Sequence, residues 1–231
     1  MSPDFSMLDA AGMNLQAILD LDALAPGLRE RVLAELDPGP WRRILVLANA
    51  GPRLWRTVRE AGVPGPDPID DFSRALFARW WRAQGTGARH QVLFPGATRV
   101  DLQALGRLAG WHHSSPLMIG IHPHWGTWFG YRVVVVTDVD WDATAAETGP
   151  SPCASCPDRP CQSACPAAAV GPAAFDLKAC LRFRAAPASP CALSCAARMA
   201  CPAGAAHRYD EDQIRHSYGD SLRAIQRFGL G

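Results

Sequence analysis

The stretch Cys153-Ala154-Ser155-Cys156-Pro157-Asp158-Arg159-Pro160-Cys161-Gln162-Ser163-Ala164-Cys165-Pro166 spaces four cysteines by two, four and three residues and closes on Cys-Pro. A second run, Cys191-x3-Cys195-x5-Cys201-Pro202, closes the same way, and Cys180 between the runs is the eighth and last cysteine of the chain. Thiols grouped like this and ending in Cys-Pro form the ligand pattern of two iron–sulfur clusters. Two four-thiolate sites need eight ligands, and eight are present.

In two-cluster ferredoxins the fourth cysteine of each run ligates the other cluster. Applied to this chain, Cys153, Cys156, Cys161 and Cys201 hold cluster I, and Cys165, Cys180, Cys191 and Cys195 hold cluster II. The spacing departs from the usual form at the x4, x3 and x5 gaps, and Pro157-Asp158-Arg159-Pro160 can bulge as a turn inside the first run. Zinc competes for the same residue types, although zinc ribbons show two separated Cys-x2-Cys pairs per ion and only Cys153 and Cys156 form such a pair. A mononuclear site with leftover thiols is a third reading. Disulfides fit poorly, because the cysteine-free residues 1–152 can build a core without a staple.

The formal charge is +1 in 231 residues, so no strong field draws the chain toward nucleic acid or anionic lipid. Of the 23 basic residues only Lys178 is a lysine, a bias that reads as genomic composition. No apolar run approaches the roughly 20 residues that span a bilayer. The acidic start at Asp4 and Asp9 is no secretory leader, so a cytoplasmic, reducing compartment is expected.

Apolar periodicity predicts helices over Pro26–Leu36, Pro52–Ala61, Asp70–Ala83, Asp101–Ala109 and Asp210–Phe228. Strands are expected at Arg43–Ala48, and at Leu117–Ile121 and Trp128–Thr137 as an antiparallel pair around the turn His122–Thr127. Gln91–Phe94 is left unplaced. The expected organisation is an α/β (α+β) domain over residues 1–140, a linker over 141–152, a cluster module over 153–206 with little regular structure of its own, and a C-terminal helix over 207–231.

Some residues carry chemistry outside the cysteines. His112, His113, Ser114 and Ser115 form a candidate ligand loop, and His122 and His124 straddle Pro123. Trp125, Trp128 and Tyr131 could stack on a flat ring or fill a core. Arg132, set in an apolar strand, needs an anionic or carbonyl partner. Asn49-Ala50-Gly51-Pro52 is read as a turn that shapes the fold. His207, Tyr209, His216 and Tyr218 follow the last cysteine and could tune cluster I.

The cysteine module, with Leu108-Ala109-Gly110-Trp111 and Ile121-His122-Pro123-His124-Trp125-Gly126-Thr127-Trp128-Phe129, resembles the epoxyqueuosine reductase group of cobalamin-dependent iron–sulfur proteins. The segment from Ile121 to Arg132 is also similar to the His-Pro-x-x-Gly-x-Trp-Phe-x-x-Arg segment of cobalamin C-type proteins. The resemblance covers about residues 100–202. It implies a nitroreductase-like domain whose cleft receives cobalamin at His122, Gly126, Trp128, Tyr131 and Arg132, and a ferredoxin-like module with two [4Fe-4S] clusters that feeds electrons to it. A flavodoxin or ferredoxin would be the electron donor, and a corrinoid or other small molecule the acceptor. The acidic proton donor of that group has no clear counterpart, and Asp101 reads equally as a helix cap. With no helical-repeat extension and little net charge, no nucleic-acid partner is expected. The alternatives are an electron-transfer protein without an organic cofactor and a zinc-stabilised interaction module.

Overall fold

The structure, a computed structural model, describes residues 2–97 and 99–228. Position 1 and positions 229–231, the outer ends of the expected first domain and last helix, lie outside the described residues. The chain divides into two compact units: residues 1–112 with 129–149, and residues 113–128 with 150–231. That division differs from the expected one, since residues 113–128 group with the cysteines and not with the sheet.

The first unit orders its elements as α1 (Ser6–Ala11), β1 (Leu15–Asp20), α2 (Pro26–Leu33), β2 (Arg43–Ala50), α3 (Arg53–Glu60), α4 (Pro68–Gln84), β3 (His90–Phe94), α5 (Leu102–Leu108) and β4 (Phe129–Thr137). The strands form one sheet in the order β1-β2-β4-β3, with every neighbouring pair antiparallel. Mixed α/β architecture is therefore present, with a small antiparallel sheet at its centre. Ile44 to Ala48 in β2 and Val133 to Val136 in β4 are all fully buried. Successive strand residues point to opposite faces, so both faces of the two inner strands are covered. On one face Ile18, Leu45, Leu47, Val133 and Val135 pack with Leu76, Phe77, Trp80 and Trp81 of α4.

The expected pairing of Leu117–Ile121 with Trp128–Thr137 does not occur. Pro116 lacks a ladder donor, Met118 takes a left-handed φ of 56°, and only a single bridge from His113 to Ile121 forms there. The partners of β4 are β2 and β3. Strand β1 and helix α1 had no expectation attached to them. The pairing of β2 with β4 slips by one residue, Leu47 opposite Val133 and Ala48 opposite Tyr131, which leaves Arg132 as the extra residue of a bulge. A bulge turns the side chain of its extra residue. Arg132 Nε donates to Asn49 Oδ1 at 2.6 Å, and its guanidinium lies 4.0 Å from the Asp70 carboxylate. Asn49 also donates to the Gly51 carbonyl at 3.3 Å, so the turn after β2 is held from within.

In the second unit the cysteine region carries more helix than expected: α6 (Pro160–Ser163), α7 (Leu177–Ala185) and α8 (Ala196–Ala200), then a 3-10 turn at Ala205–His207 and α9 (Glu211–Phe228). Asp176 caps α7 by accepting the Ala179 N–H at 2.9 Å. Among the described residues no helix is long and apolar enough to cross a membrane.

Trp80 ties the N-terminal segment to the core of the sheet unit: its indole N–H donates to the Asp4 carbonyl at 2.7 Å and its ring stacks on Phe5 at 5.3 Å. Trp80→Ala is expected to lower stability by about 3–5 kcal/mol in urea unfolding. A loss below about 1 kcal/mol would show that α4 packs without it.

Candidate metal centres

Two cavities take the eight thiols four at a time. The first, of about 130 Å3, is lined by Cys153, Cys156, Cys161 and Cys201. The second, of about 320 Å3, is lined by Cys165, Cys180, Cys191 and Cys195. The sequence runs are thus interleaved in space, since each cavity takes three cysteines from one part of the chain and a fourth from the other run.

Local structure explains the sorting. Helix α6 begins at Pro160, carries Cys161 and ends before Cys165, so these two thiols leave its two ends for different cavities. Arg159 ahead of it sits at φ 38°, which turns the four-residue gap after Cys156 back on itself. The five-residue gap between Cys195 and Cys201 is helix α8: Cys195 caps its start, with Sγ accepting the Arg198 N–H at 3.4 Å, and Cys201 ends it. Helix α7 presents Cys180 to the second cavity.

The electrostatics follow the same grouping. Burial pushes the Cys153 thiol pKa up, and the nearby Cys201, Cys161 and Cys156 push it further, against Arg159. Burial likewise raises Cys161, with help from Cys201 and Cys156. Cys180 is raised by burial and by Cys195, Cys165 and Cys191, while Arg184 opposes. Four crowded thiols resist deprotonation together unless cations enter among them, and bound metal inverts that cost.

The turn between Ile121 and Trp128 is built onto this framework. His122 and Gly126 exchange backbone hydrogen bonds at 2.8 and 3.0 Å. Gly126 has φ 60°, and a Cβ there would lie 2.0 Å from the Ala203 carbonyl; Gly204 has φ 66°, and a Cβ there would lie 2.3 Å from the Trp125 carbonyl. Only two glycines allow the turn to press so closely on the segment after Cys201-Pro202. Arg198 then donates to the backbone carbonyl and hydroxyl of Thr127, and its guanidinium covers Trp128 at 4.4 Å and Tyr209 at 5.4 Å.

The five expected cleft residues fall into two groups. His122, Gly126 and Trp128 belong to the cysteine unit, Tyr131 and Arg132 to the sheet unit. Gly126 serves the close approach to Ala203. Trp128 is fully buried between Arg198 and Tyr209, which leaves no ring face for a ligand. Tyr131 sits over Gly106, with its hydroxyl 3.4 Å from His112 Nδ1, and burial drives its ionisation far up. Arg132 is engaged by Asn49 and Asp70. Asp101 caps α5 by accepting the Ala104 N–H at 2.8 Å. The rings of His124, Trp125 and His207 gather at 4.3–4.9 Å from one another. Tyr218, expected beside cluster I, lines the cavity of Cys165, Cys180, Cys191 and Cys195 instead, and Arg184 and Arg198 line it too. Sequence reasoning did not single out either arginine; the one visible signal was a cation at Arg198 amid the alanines between two cysteines.

No protein-family model matches the chain, and a search of the curated proteins finds no match. Solved structures do match. A selenomethionine-labelled epoxyqueuosine reductase aligns with a TM-score of 0.54 at 14% identity, covering 91% of this chain and 68% of that one. An epoxyqueuosine reductase with a tRNA-Tyr epoxyqueuosine-modified stem loop aligns at 0.56 and 14%, covering 90% and 66%. The enzyme from Bacillus subtilis aligns at 0.54 and 14%, covering 89% and 66%. The chain shares its fold with epoxyqueuosine reductase. It spans about two thirds of the length of these structures. The expectation that nucleic acid is no partner rested on whole-chain charge. That sum hides an asymmetry: the cysteine unit has nine basic and six acidic residues, the sheet unit 14 and 16.

His122 is fully buried and its Nδ1 accepts the N–H groups of His124 at 3.1 Å and Trp125 at 3.4 Å, so the turn holds the neutral ring. Burial, then His124 and His113, lowers its pKa from 6.5 to about 4. Below pH 6.5 the unfolded chain binds a proton that the folded chain refuses, so stability present above 6.5 is lost as pH falls toward 4. Unfolding free energy should fall more steeply over that window in the wild type than in His122→Asn, whose amide oxygen can accept the same two bonds without titrating. Equal slopes would remove His122 as the source.

Proposed function

We propose that this chain is an iron–sulfur oxidoreductase whose cysteine unit holds two [4Fe-4S] clusters, one on Cys153, Cys156, Cys161 and Cys201 and the other on Cys165, Cys180, Cys191 and Cys195. The observation that carries the reading is the division of all eight thiols into two cavities of four. The fold shared with epoxyqueuosine reductase supports it.

The ligand spacing favours clusters over zinc, because zinc ribbons use two separated Cys-x2-Cys pairs per ion and only Cys153 and Cys156 form such a pair. A tetrahedral zinc site, with Zn–S near 2.3 Å, draws its sulfurs to about 3.8 Å from one another. In a cluster each thiolate binds its own iron, so the four sulfurs stand apart around a cavity. When bound, such clusters supply one-electron transfer. The protein's part is to fix the thiolates, screen their charge with Arg159, Arg184 and Arg198, and close the sites with Ile121, Leu117 and Phe175. The donor would be a one-electron carrier of the flavodoxin or ferredoxin class in a reducing, cytoplasmic compartment. No corrinoid step enters this reading. The acceptor to try first is a modified RNA stem loop, because one structure of the same fold was solved with one.

Anaerobic reconstitution should give about eight iron and eight sulfide per chain. Cys180→Ser should lose roughly half of that iron and keep the rest, whereas zinc without sulfide would sink the reading. An epoxyqueuosine-modified stem loop should bind and be reduced by the dithionite-reduced protein. Retained clusters with no turnover would leave an electron carrier in place of an RNA-directed enzyme.

A further inference from the structure

We infer that Arg184 and Arg198 hold the cluster on Cys165, Cys180, Cys191 and Cys195 at a higher potential than its companion, so that an electron entering the chain comes to rest there. The inference depends on the two-cluster reading above. It arises because the two cavities have the same ligands and different walls.

Around the second cavity, donors and cations converge on the sulfur. Cys195 Sγ accepts the Arg198 backbone N–H, and the side chains of Arg184, Arg198 and Tyr218 line the cavity beside it. The Arg184 guanidinium lies over the Tyr218 ring at 5.1 Å and is fixed by the carbonyls of Cys191 and Tyr218 and by Ser221 Oγ. Among the described residues no carboxylate lines this cavity. Around the first cavity stand Pro116, Pro152, Pro160 and Pro202, which have no backbone N–H to offer. Its one charged lining residue is Arg159, an exposed side chain next to Asp158.

Adding one electron makes a four-thiolate cluster more negative. Hydrogen bonds to sulfur and nearby positive charge stabilise that added charge, and burial strengthens both effects. A one-electron donor loses what the cluster gains, and no proton need move. Two half-buried guanidiniums therefore favour the reduced state at the second cavity, against one exposed guanidinium at the first.

The test is an anaerobic potentiometric titration with dithionite, followed by electron paramagnetic resonance of the reduced clusters and by iron analysis. Two signals should appear at separate midpoints, and Cys180→Ser should remove the one that reduces first. Arg184→Gln, which removes one charge, should lower the midpoint of that same signal at unchanged iron content, Arg184→Lys should keep it, and Arg198→Met should lower it too. Arg198 also holds Thr127, so if its variant fails to fold, the Arg184 pair decides alone. Coincident midpoints, no shift in Arg184→Gln, or a shift confined to the other signal would overturn the inference while leaving both clusters standing. Absence of iron from the wild type would overturn the two-cluster reading itself.

Discussion

The cysteine unit depends on one side chain, Arg198, and on the helix that carries it. Helix α8 is five residues long, and the cysteines at its two ends face different cavities. Its orientation decides whether eight thiols make two sets of four. Arg198 fixes that orientation from the middle, bonding Thr127 on one side and lying against Trp128 and Tyr209 on the other. A guanidinium suits this task because it is planar enough to stack on two aromatic rings and still has N–H groups in its plane to donate. Lysine could not do both.

The two units are stabilised by different means. The sheet unit buries a continuous apolar core of β-branched and aromatic residues, with four tryptophans among its buried side chains around the sheet and α3. The cysteine unit has two small clusters, one around Trp128, Tyr209 and Ile214 and one around Cys161, Val170 and Ala197. Apolar burial on that scale is small against the ordering entropy of some hundred residues. On the two-cluster reading, metal coordination would supply the rest, since binding energy becomes folding energy when the site exists only in the folded chain.

Much of this was legible in the sequence, and what was missed has identifiable causes. Long amphipathic stretches such as Pro68–Gln84 and Glu211–Phe228 declare themselves by period. The central strand declares itself by the unbroken run Ile44–Leu47, although such a run does not distinguish a parallel from an antiparallel neighbour. The grouping of cysteines follows from the fourth-ligand exchange, and the irregular x4 and x5 gaps prove to be a left-handed turn and a short helix. Trp128 and Arg132 misled for a common reason: an aromatic ring and a cation in an apolar segment signal a partner, and sequence does not say that the partner is another part of the protein. Their partners, Arg198 and Asn49, lie 70 and 83 positions away. The grouping of residues 113–128 with the cysteines was hidden in the same way, since it rests on Gly126 and Gly204 meeting across a long sequence gap.

Charge shows how far a sum can mislead. The cysteine unit exceeds neutrality by three positive residues, which taken alone suggests a surface for phosphate. Three of its arginines, however, are turned inward. Arg184 and Arg198 line the second cavity, and Arg208 donates to the Met199 carbonyl while its Nε is buried. The remaining six basic residues are matched by six acids. The excess is thus turned inward, two of its three charges toward the thiols of the second cavity. An RNA held by this unit would be held with little release of counterions, so its recognition would have to come from stacking, shape and hydrogen bonds in place of a basic field.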